Sequence, residues 1–365
     1  MMWELCAHLG PERVSCLIGS LPAALSEVRM PASNIAVHRA HLPFARSPLC
    51  KLASLAFTWP HVLTRSRPNI LQFATCDDAY WGTWLRRWLG LPFVVYAHGN
   101  DVLSAAASQW QAPRTALRGA AAVLANSNYT ADLLKNSIGA PAERIQIVHP
   151  GCDPNEFSPG AANPAAFAHL PTLRQANPVL LTVGNIVERK GHDLVIRCLP
   201  ALRETWPELA YVVVGVGAHQ PALEKLASEL GVREMVHFAG RVPRAALPDF
   251  YRRCDVMVMP SRVRSEHHDV EGFGIVFVEA NACCKPVVGG RSGGMTDAIH
   301  HGENGFVVEP GDVGQLLQHL RMLLADRELA ARLGANGRRR VETQLSWSAI
   351  ARRVDSVLDD VARGR

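Results

Sequence analysis

Lysine is scarce in this chain. Of its 38 basic residues only 5 are Lys, the other 33 are Arg, and no stretch gathers them into a dense basic block. With a net charge of only +5, nucleic-acid binding is a poor expectation, and a solvated mixed surface suffices to explain the charge. No CxxC pair occurs among the nine cysteines. Their scatter fits reduced, mostly buried thiols of a cytosolic protein, not a disulfide framework or a zinc site. No apolar run approaches the ~18–20 residues of a bilayer span. The opening MMWELCAHLG has no basic region followed by an apolar stretch, so a secretory signal is not expected. No internal repeat of about 20–50 residues stands out.

What is present is alternation. In 365 residues, short apolar runs predict strands at 14–18, 35–38, 70–75, 93–97, 121–125 and 145–148. A second series falls at 179–184, 210–215, 236–239, 256–259, 286–288 and 305–308. Helical patterns separate most of them, which indicates βαβ units and parallel sheets. Twelve strands exceed one comfortable sheet, so two doubly wound domains are expected. Residues 151–178 carry five prolines without periodicity, which is linker composition. A last helical pattern runs over 346–361, with Ser346 as its N-cap. At the front, Trp3, Leu5, Cys6 and Leu9 make the apolar face of a helix that Gly10 and Pro11 stop.

Ligands of open α/β sheets bind at the carboxyl ends of the strands, so the loops there are where chemistry is expected. After 179–184 comes Asn185-Ile186-Val187-Glu188-Arg189-Lys190-Gly191-His192-Asp193, then a helix. A planar guanidinium and a point charge before a helix N-terminus suit a diphosphate; a solvated turn hinged at Gly191 is the plainer alternative. After 256–259, Pro260-Ser261-Arg262 leads to Glu271-Gly272-Phe273-Gly274, and a helix is expected from about Ile275. Gly272 and Gly274 would let backbone amides approach a ligand. Glu271 and Glu279 could reach opposite ends of an extended one, or be ordinary surface groups. A third Gly-rich turn, 289–294, is weak evidence alone. His98 ends a strand next to Gly99. His267-His268-Asp269 has no partner cluster with metal-ligand spacing, so no metal site is expected. Trp81, Trp84 and Trp88, with Arg86 and Arg87 beside them, make a stripe expected to pack on the sheet, with a membrane surface as the alternative.

Together the segments YAHGND, VHPGCDPNEFSPG, VGNIVERKGHDLVI, PSR and DVEGFGIVFVEANACCKPVVGGRSGG resemble the retaining glycosyltransferases of family 4, across nearly the whole chain and in the expected order. Glu271 and Glu279 stand in the family's E-x7-E pattern. A weaker similarity is to mannosyltransferases acting on phosphatidylinositol mannosides. The resemblance implies a GT-B fold: two Rossmann-like domains facing across a cleft. Residues 1–157 would be the acceptor-side domain, with 346–365 packing back on it, and 158–345 the donor domain. It implies a hexose moved from a GDP- or UDP-sugar to a hydroxyl of a lipid-linked, polysaccharide or small-molecule acceptor, with no cofactor or metal, in the cytoplasm or at the inner face of the membrane. Arg189 and Lys190 would hold the diphosphate and Glu279 the ribose. Glu271, with the amides of Phe273 and Gly274, would meet the sugar. Gly184, Val242, Gly272 and Ile275 would complete the donor site, and His98 would face the sugar from the first domain. Family members begin with a strand and a Gly-Gly loop, and this chain starts at the helix that follows them, so an N-terminally longer protein is expected. Cys284 stands where the family often has Gly. A truncated, non-catalytic sugar-nucleotide-binding subunit and a GT-B sugar-nucleotide 2-epimerase are the alternatives.

Overall fold

A computed structural model describes residues 2–9, 15–18, 36–39, 60, 63–64, 67–262 and 270–364. Strands β1 (Ser15–Ile18) and β2 (Ala36–Arg39) form a separate parallel pair. Strands β3 (Leu71–Phe73), β4 (Phe93–Ala97), β5 (Ala122–Ala125) and β6 (Ile145–Ile147) form a parallel sheet in sequential order. Strands β7 (Val179–Val183), β8 (Ala210–Val214), β9 (Val236–Gly240), β10 (Val256–Met259), β11 (Val287–Gly290) and β12 (Gly305–Val308) form a six-stranded parallel sheet. The strands of β4, β5, β7, β8, β10, β11 and β12 are buried throughout, as a sheet covered on both faces requires.

Among the described residues the α-helices are α1 (Met2–Leu9), α2 (Tyr80–Leu89), α3 (Asn100–Ala107), α4 (Ala112–Gly119), α5 (Asn128–Leu133), α6 (His192–Arg203), α7 (Gln220–Glu229), α8 (Leu247–Arg253), α9 (Ile275–Ala282), α10 (Met295–Ala298), α11 (Val313–Ala325), α12 (Arg327–Arg340) and α13 (Trp347–Ala362). Ser346 caps α13 by accepting from the Ala349 amide. α13 packs on α1, and Leu5, Leu9, Trp347, Ile350 and Val354 share one core cluster with Tyr96 and Leu124 of the four-stranded sheet. The same cluster takes in Leu181, Met257 and Phe277 of the six-stranded half, so one continuous apolar body joins the halves. Hydrogen bonds from the Cys152 amide to the Leu345 carbonyl (2.8 Å) and from the Trp347 amide to the Cys152 carbonyl (3.3 Å) pin the chain where it crosses between them.

Strand order β12-β11-β10-β7-β8-β9 puts the reversal between β7 and β10. From β7 the chain winds outward one way through β8 and β9, and from β10 the other way through β11 and β12. Loops leaving β7 and β10 therefore flank the switch point, where the crevice of such sheets takes its ligand.

Three expectations change. Gly289 and Gly290 belong to β11, not to a Gly-rich turn. A Cβ on Gly289 would fall 2.5 Å from Ile299 Cδ1, and one on Gly290 would strike the Ser261 backbone, so here glycine lets a strand be covered closely. The tryptophan stripe does not all pack on the sheet. Trp81 and Leu85 of α2 are buried, but Trp84 is 43% and Trp88 67% exposed. The last turn, Arg86–Gly90, is exposed throughout, so none of the described residues covers the stripe at that end. Finally, β1 and β2 stand apart from the sheet of β3–β6. Gly10, Pro11 and the triplet His267-His268-Asp269 lie outside the described residues.

Candidate active site

The crevice between β7 and β10 is lined by the two loops that the sequence singled out. After β7 the chain makes a short 3-10 turn, Glu188–Lys190, and Gly191 (φ 73°) turns it into α6. Glycine is required at 191 twice over: its φ lies in the left-handed region, and a Cβ would strike the Pro260 backbone. That close approach sets Arg189-Lys190 against Pro260-Ser261-Arg262. The Arg262 amide donates to the Arg189 carbonyl at 2.9 Å, and its guanidinium pairs with Asp193. Beneath the turn lies a buried polar relay. Thr182 donates to the Val258 carbonyl, its hydroxyl meets Tyr211 at 2.9 Å, and Tyr211 meets His192 Nδ1 at 3.1 Å. Burial pushes the His192 imidazole down to about 4, so the ring is neutral at physiological pH.

Both cations converge on Glu271. Lys190 Nζ lies 2.5 Å and Arg189 Nη1 3.0 Å from the same oxygen, Oε2. All three side chains are only 11–15% exposed. Burial works to raise the Glu271 carboxyl, but the charges and hydrogen bonds of Lys190 and Arg189 outweigh it, and the net direction is down. Gly184 lies beside this pair: a Cβ there would sit 3.7 Å from Lys190 Nζ.

Helix α9 starts at Ile275 with Gly274 (φ 89°) before it. Its first amides have no intrahelical partner, which makes this an anion-favouring end. Glu279, on the next turn, is 7% exposed and accepts from the Tyr251 hydroxyl at 2.8 Å. Burial pushes its carboxyl up to about 7, against the pull of that hydrogen bond. Val242, on the turn after β9, is partly buried against the core cluster that contains Phe273 and Phe277.

The other half meets this loop at His98, directly after β4. Asp101 Oδ1 accepts from the amides of His98 (2.8 Å) and Val102 (2.9 Å), and Asn126 Nδ2 donates to the His98 carbonyl at 3.2 Å. The imidazole stacks on Tyr96 with centroids 4.9 Å apart, and Nε2 lies 2.8 Å from the Ala74 carbonyl. A carbonyl only accepts, so Nε2 carries the proton and a neutral ring keeps Nδ1 as its acceptor. Gly272 passes so close that a Cβ would fall 2.5 Å from the His98 carbonyl oxygen. The Val270 amide donates to Asn100 (3.1 Å), Asn128 donates its amide (2.5 Å) and Nδ2 (3.0 Å) to Asp297, and His149 stacks on Phe273 at 5.0 Å. The structure thus brings His98, Gly272, Glu271, Arg189, Lys190 and Gly184 around one crevice.

Sequence reading missed Tyr251, His192, Asn126 and Asp297. Tyr251 and His192 look like ordinary residues of amphipathic helices, and only the fold shows that their polar atoms are used. Among the described residues, no group of His, Cys, Asp and Glu is arranged to hold a metal ion, and no helix is long and apolar enough to cross a membrane.

Two family models cover most of the sequence: Glycosyltransferase Family 4 matches residues 1–156, and Glycosyl transferases group 1 matches residues 171–340. The GDP-mannose-dependent alpha-(1-6)-phosphatidylinositol monomannoside mannosyltransferase of Mycolicibacterium smegmatis is 36% identical over 269 residues, 73% of this chain and 69% of that protein. The chain belongs to glycosyltransferase family 4. The glycosyltransferase is also 32% identical over 289 residues to the D-inositol 3-phosphate glycosyltransferase of Streptomyces avermitilis, covering 73% of this chain and 60% of the relative. It therefore spans 60–69% of the length of these two relatives. Among solved structures, Anabaena HepE in complex with UDP superposes with a TM-score of 0.78 at 23% identity, covering 98% of this chain and 96% of that one. Sucrose-phosphate synthase from Thermosynechococcus elongatus gives 0.78 at 22% identity, covering 98% and 92%. At these identities the likeness carries the fold, which is GT-B.

Proposed function

We propose that this glycosyltransferase moves a mannosyl-type hexose from a nucleoside-diphosphate sugar, GDP-mannose first among the candidates, to a hydroxyl of an inositol-containing or other lipid-linked acceptor, with retention of configuration. The observation that carries the reading is the convergence of Arg189 and Lys190 on one oxygen of Glu271 at the switch point of the sheet. A guanidinium fork and an ammonium point charge held at one place suit the oxygens of a diphosphate. The relatives whose names specify GDP-mannose and phosphatidylinositol monomannoside support the choice of donor and acceptor.

In this reading the glycosidic bond breaks through an oxocarbenium-like state, and negative charge develops on the leaving diphosphate. Arg189, Lys190 and the first amides of α9 stabilise that charge, the role that fixed donors fill in a low-dielectric crevice. Glu271 then meets the sugar hydroxyls, and Glu279 meets the ribose. His98, with Nδ1 as acceptor, faces the sugar from the other half. The acceptor hydroxyl adds on the face the phosphate leaves, and a phosphate oxygen takes its proton. Glu271 is no candidate for nucleophile, since its charge is already committed to two cations. The test is a transfer assay over GDP- and UDP-sugars with proton NMR of the first-formed product. The α-anomer from an α-linked donor is expected, and a β-anomer would contradict retention.

A lipid acceptor also gives the exposed end of α2 a use. Trp84 and Trp88, 6.3 Å apart, and Leu89 stand open beside Arg87. Aromatic rings and cations together suit an anionic bilayer surface. Trp84→Ala/Trp88→Ala is expected to weaken sedimentation with vesicles containing phosphatidylinositol at least several-fold; unchanged sedimentation would remove this role.

A further inference from the structure

We infer that Tyr251 is a positioning residue for donor binding: its hydroxyl, donated to one oxygen of Glu279, fixes the carboxylate and leaves the other oxygen to the donor ribose. The inference rests on the reading that Glu279 meets the ribose.

Tyr251 is fully buried on α8 and Glu279 nearly so on α9, with O–H···O at 2.8 Å. A phenol held this way has no freedom to point elsewhere. Its ring packs edge-on to Phe157 with centroids 5.8 Å apart, and the Arg244 guanidinium lies 5.6 Å from the Phe157 ring centre. Arg244 is itself held by Glu156 through two hydrogen bonds, at 2.9 and 2.6 Å. A carboxylate offers about four acceptor positions on two oxygens. Tyr251 fills one, and among the described residues no other hydrogen-bond partner reaches the Glu279 carboxyl. A second oxygen without a hydrogen-bond partner among the described residues is what a pair of ribose hydroxyls requires.

The surroundings also set when that oxygen is charged. Burial pushes the Glu279 carboxyl up to about 7; Tyr251 and then Arg244 pull it down, and Glu156 pushes it up. The neighbouring thiols of Cys152 and Cys283 are both pushed up by burial and stay neutral. Ribose hydroxyls donate best to the carboxylate, so donor affinity should rise with pH until Glu279 is ionised. Removing the Tyr251 hydroxyl takes away a pull downward, so the midpoint of that rise moves to higher pH.

The experiment is calorimetric titration of GDP-mannose and UDP-glucose, whose diphosphate diesters do not titrate in this range, between about pH 5.5 and 8.5. It uses the wild type, Tyr251→Phe and Glu279→Gln. In the wild type, Kd should fall as pH rises, with a midpoint near neutrality. Y251F should weaken binding on the order of 10-fold, move the midpoint upward, and raise donor KM while leaving kcat at saturating donor within about twofold. E279Q should bind weakly with a flat profile. Wild-type affinity and midpoint in Y251F, with E279Q weakened, overturn the positioning role alone. Unchanged affinity in E279Q overturns the ribose assignment and the inference with it. Should Y251F fail to fold, 3-fluorotyrosine at 251, a stronger donor, should move the midpoint down; an unmoved midpoint is equally fatal.

Discussion

Glu271 and Glu279 lie eight residues apart on one loop-and-helix segment, yet their surroundings drive them in opposite directions. Glu271 faces two cations and is held below the ordinary carboxylate range. Glu279 faces a phenol in an apolar pocket and is lifted to about 7. Pairs of like groups pushed apart by environment are a mark of divided roles. Here the division runs along the proposed donor. The carboxylate held low sits beside the cations proposed to bind the phosphates, and the raised one sits where the ribose would lie.

The largest effect should come from removing the cations. Arg189→Ala and Lys190→Ala should each lower kcat/KM by about 10²–10³-fold, the scale for losing one donor to a developing oxyanion. Losses under tenfold would show that the charges do not act on the leaving group.

A second test separates the carboxylates by ligand. Glu271→Gln frees Arg189 and Lys190 from a competing anion, so GDP should bind at least as tightly as to wild type. The extra affinity contributed by the mannosyl group should fall roughly tenfold. Glu279→Gln should weaken GDP and GDP-mannose together, because both carry the ribose. The same pattern in both variants would erase the comparison.

The smallest effect is on stability. Glu279 binds its proton more tightly in the folded chain, at about 7, than at its ordinary 4.5. Its charge therefore destabilises the fold above pH 7, and that cost fades as pH falls toward 4.5. Glu279→Gln should raise stability at pH 8 by on the order of 1–3 kcal/mol. The gap in melting temperature should narrow at pH 5.5. A gap of the same size at both pH values would mean that ionisation of Glu279 is not what strains the fold.

Much of this was legible before any coordinates. Apolar runs located the twelve strands found among the described residues, most plainly the seven that are buried throughout, because a parallel sheet covered on both faces needs uninterrupted Val, Ile and Leu. Arg189, Lys190, Glu271 and Gly274 stood out because they occupy loops before helices, where charge and glycine have few structural excuses. Tyr251 and His192 did not, because a buried polar tip on an apolar body has no periodic signature. Trp88 misled for the converse reason. Periodicity gives the face on which a residue lies, not how far the neighbouring sheet extends beneath it. Cys284 adopts φ 58° at the end of α9, a backbone usually left to glycine. The resemblance marked the position, but only the structure gives the reason.

The central claim is that the cations at the β7–β10 switch point hold a donor diphosphate. It is tested most directly by titrating GDP-mannose into the wild type and the Arg189→Ala/Lys190→Ala double variant. The account predicts saturable binding by the wild type and a loss of at least about 100-fold in the variant, equal for GDP and GDP-mannose. Equal affinity in the two proteins, with both folded, would contradict it.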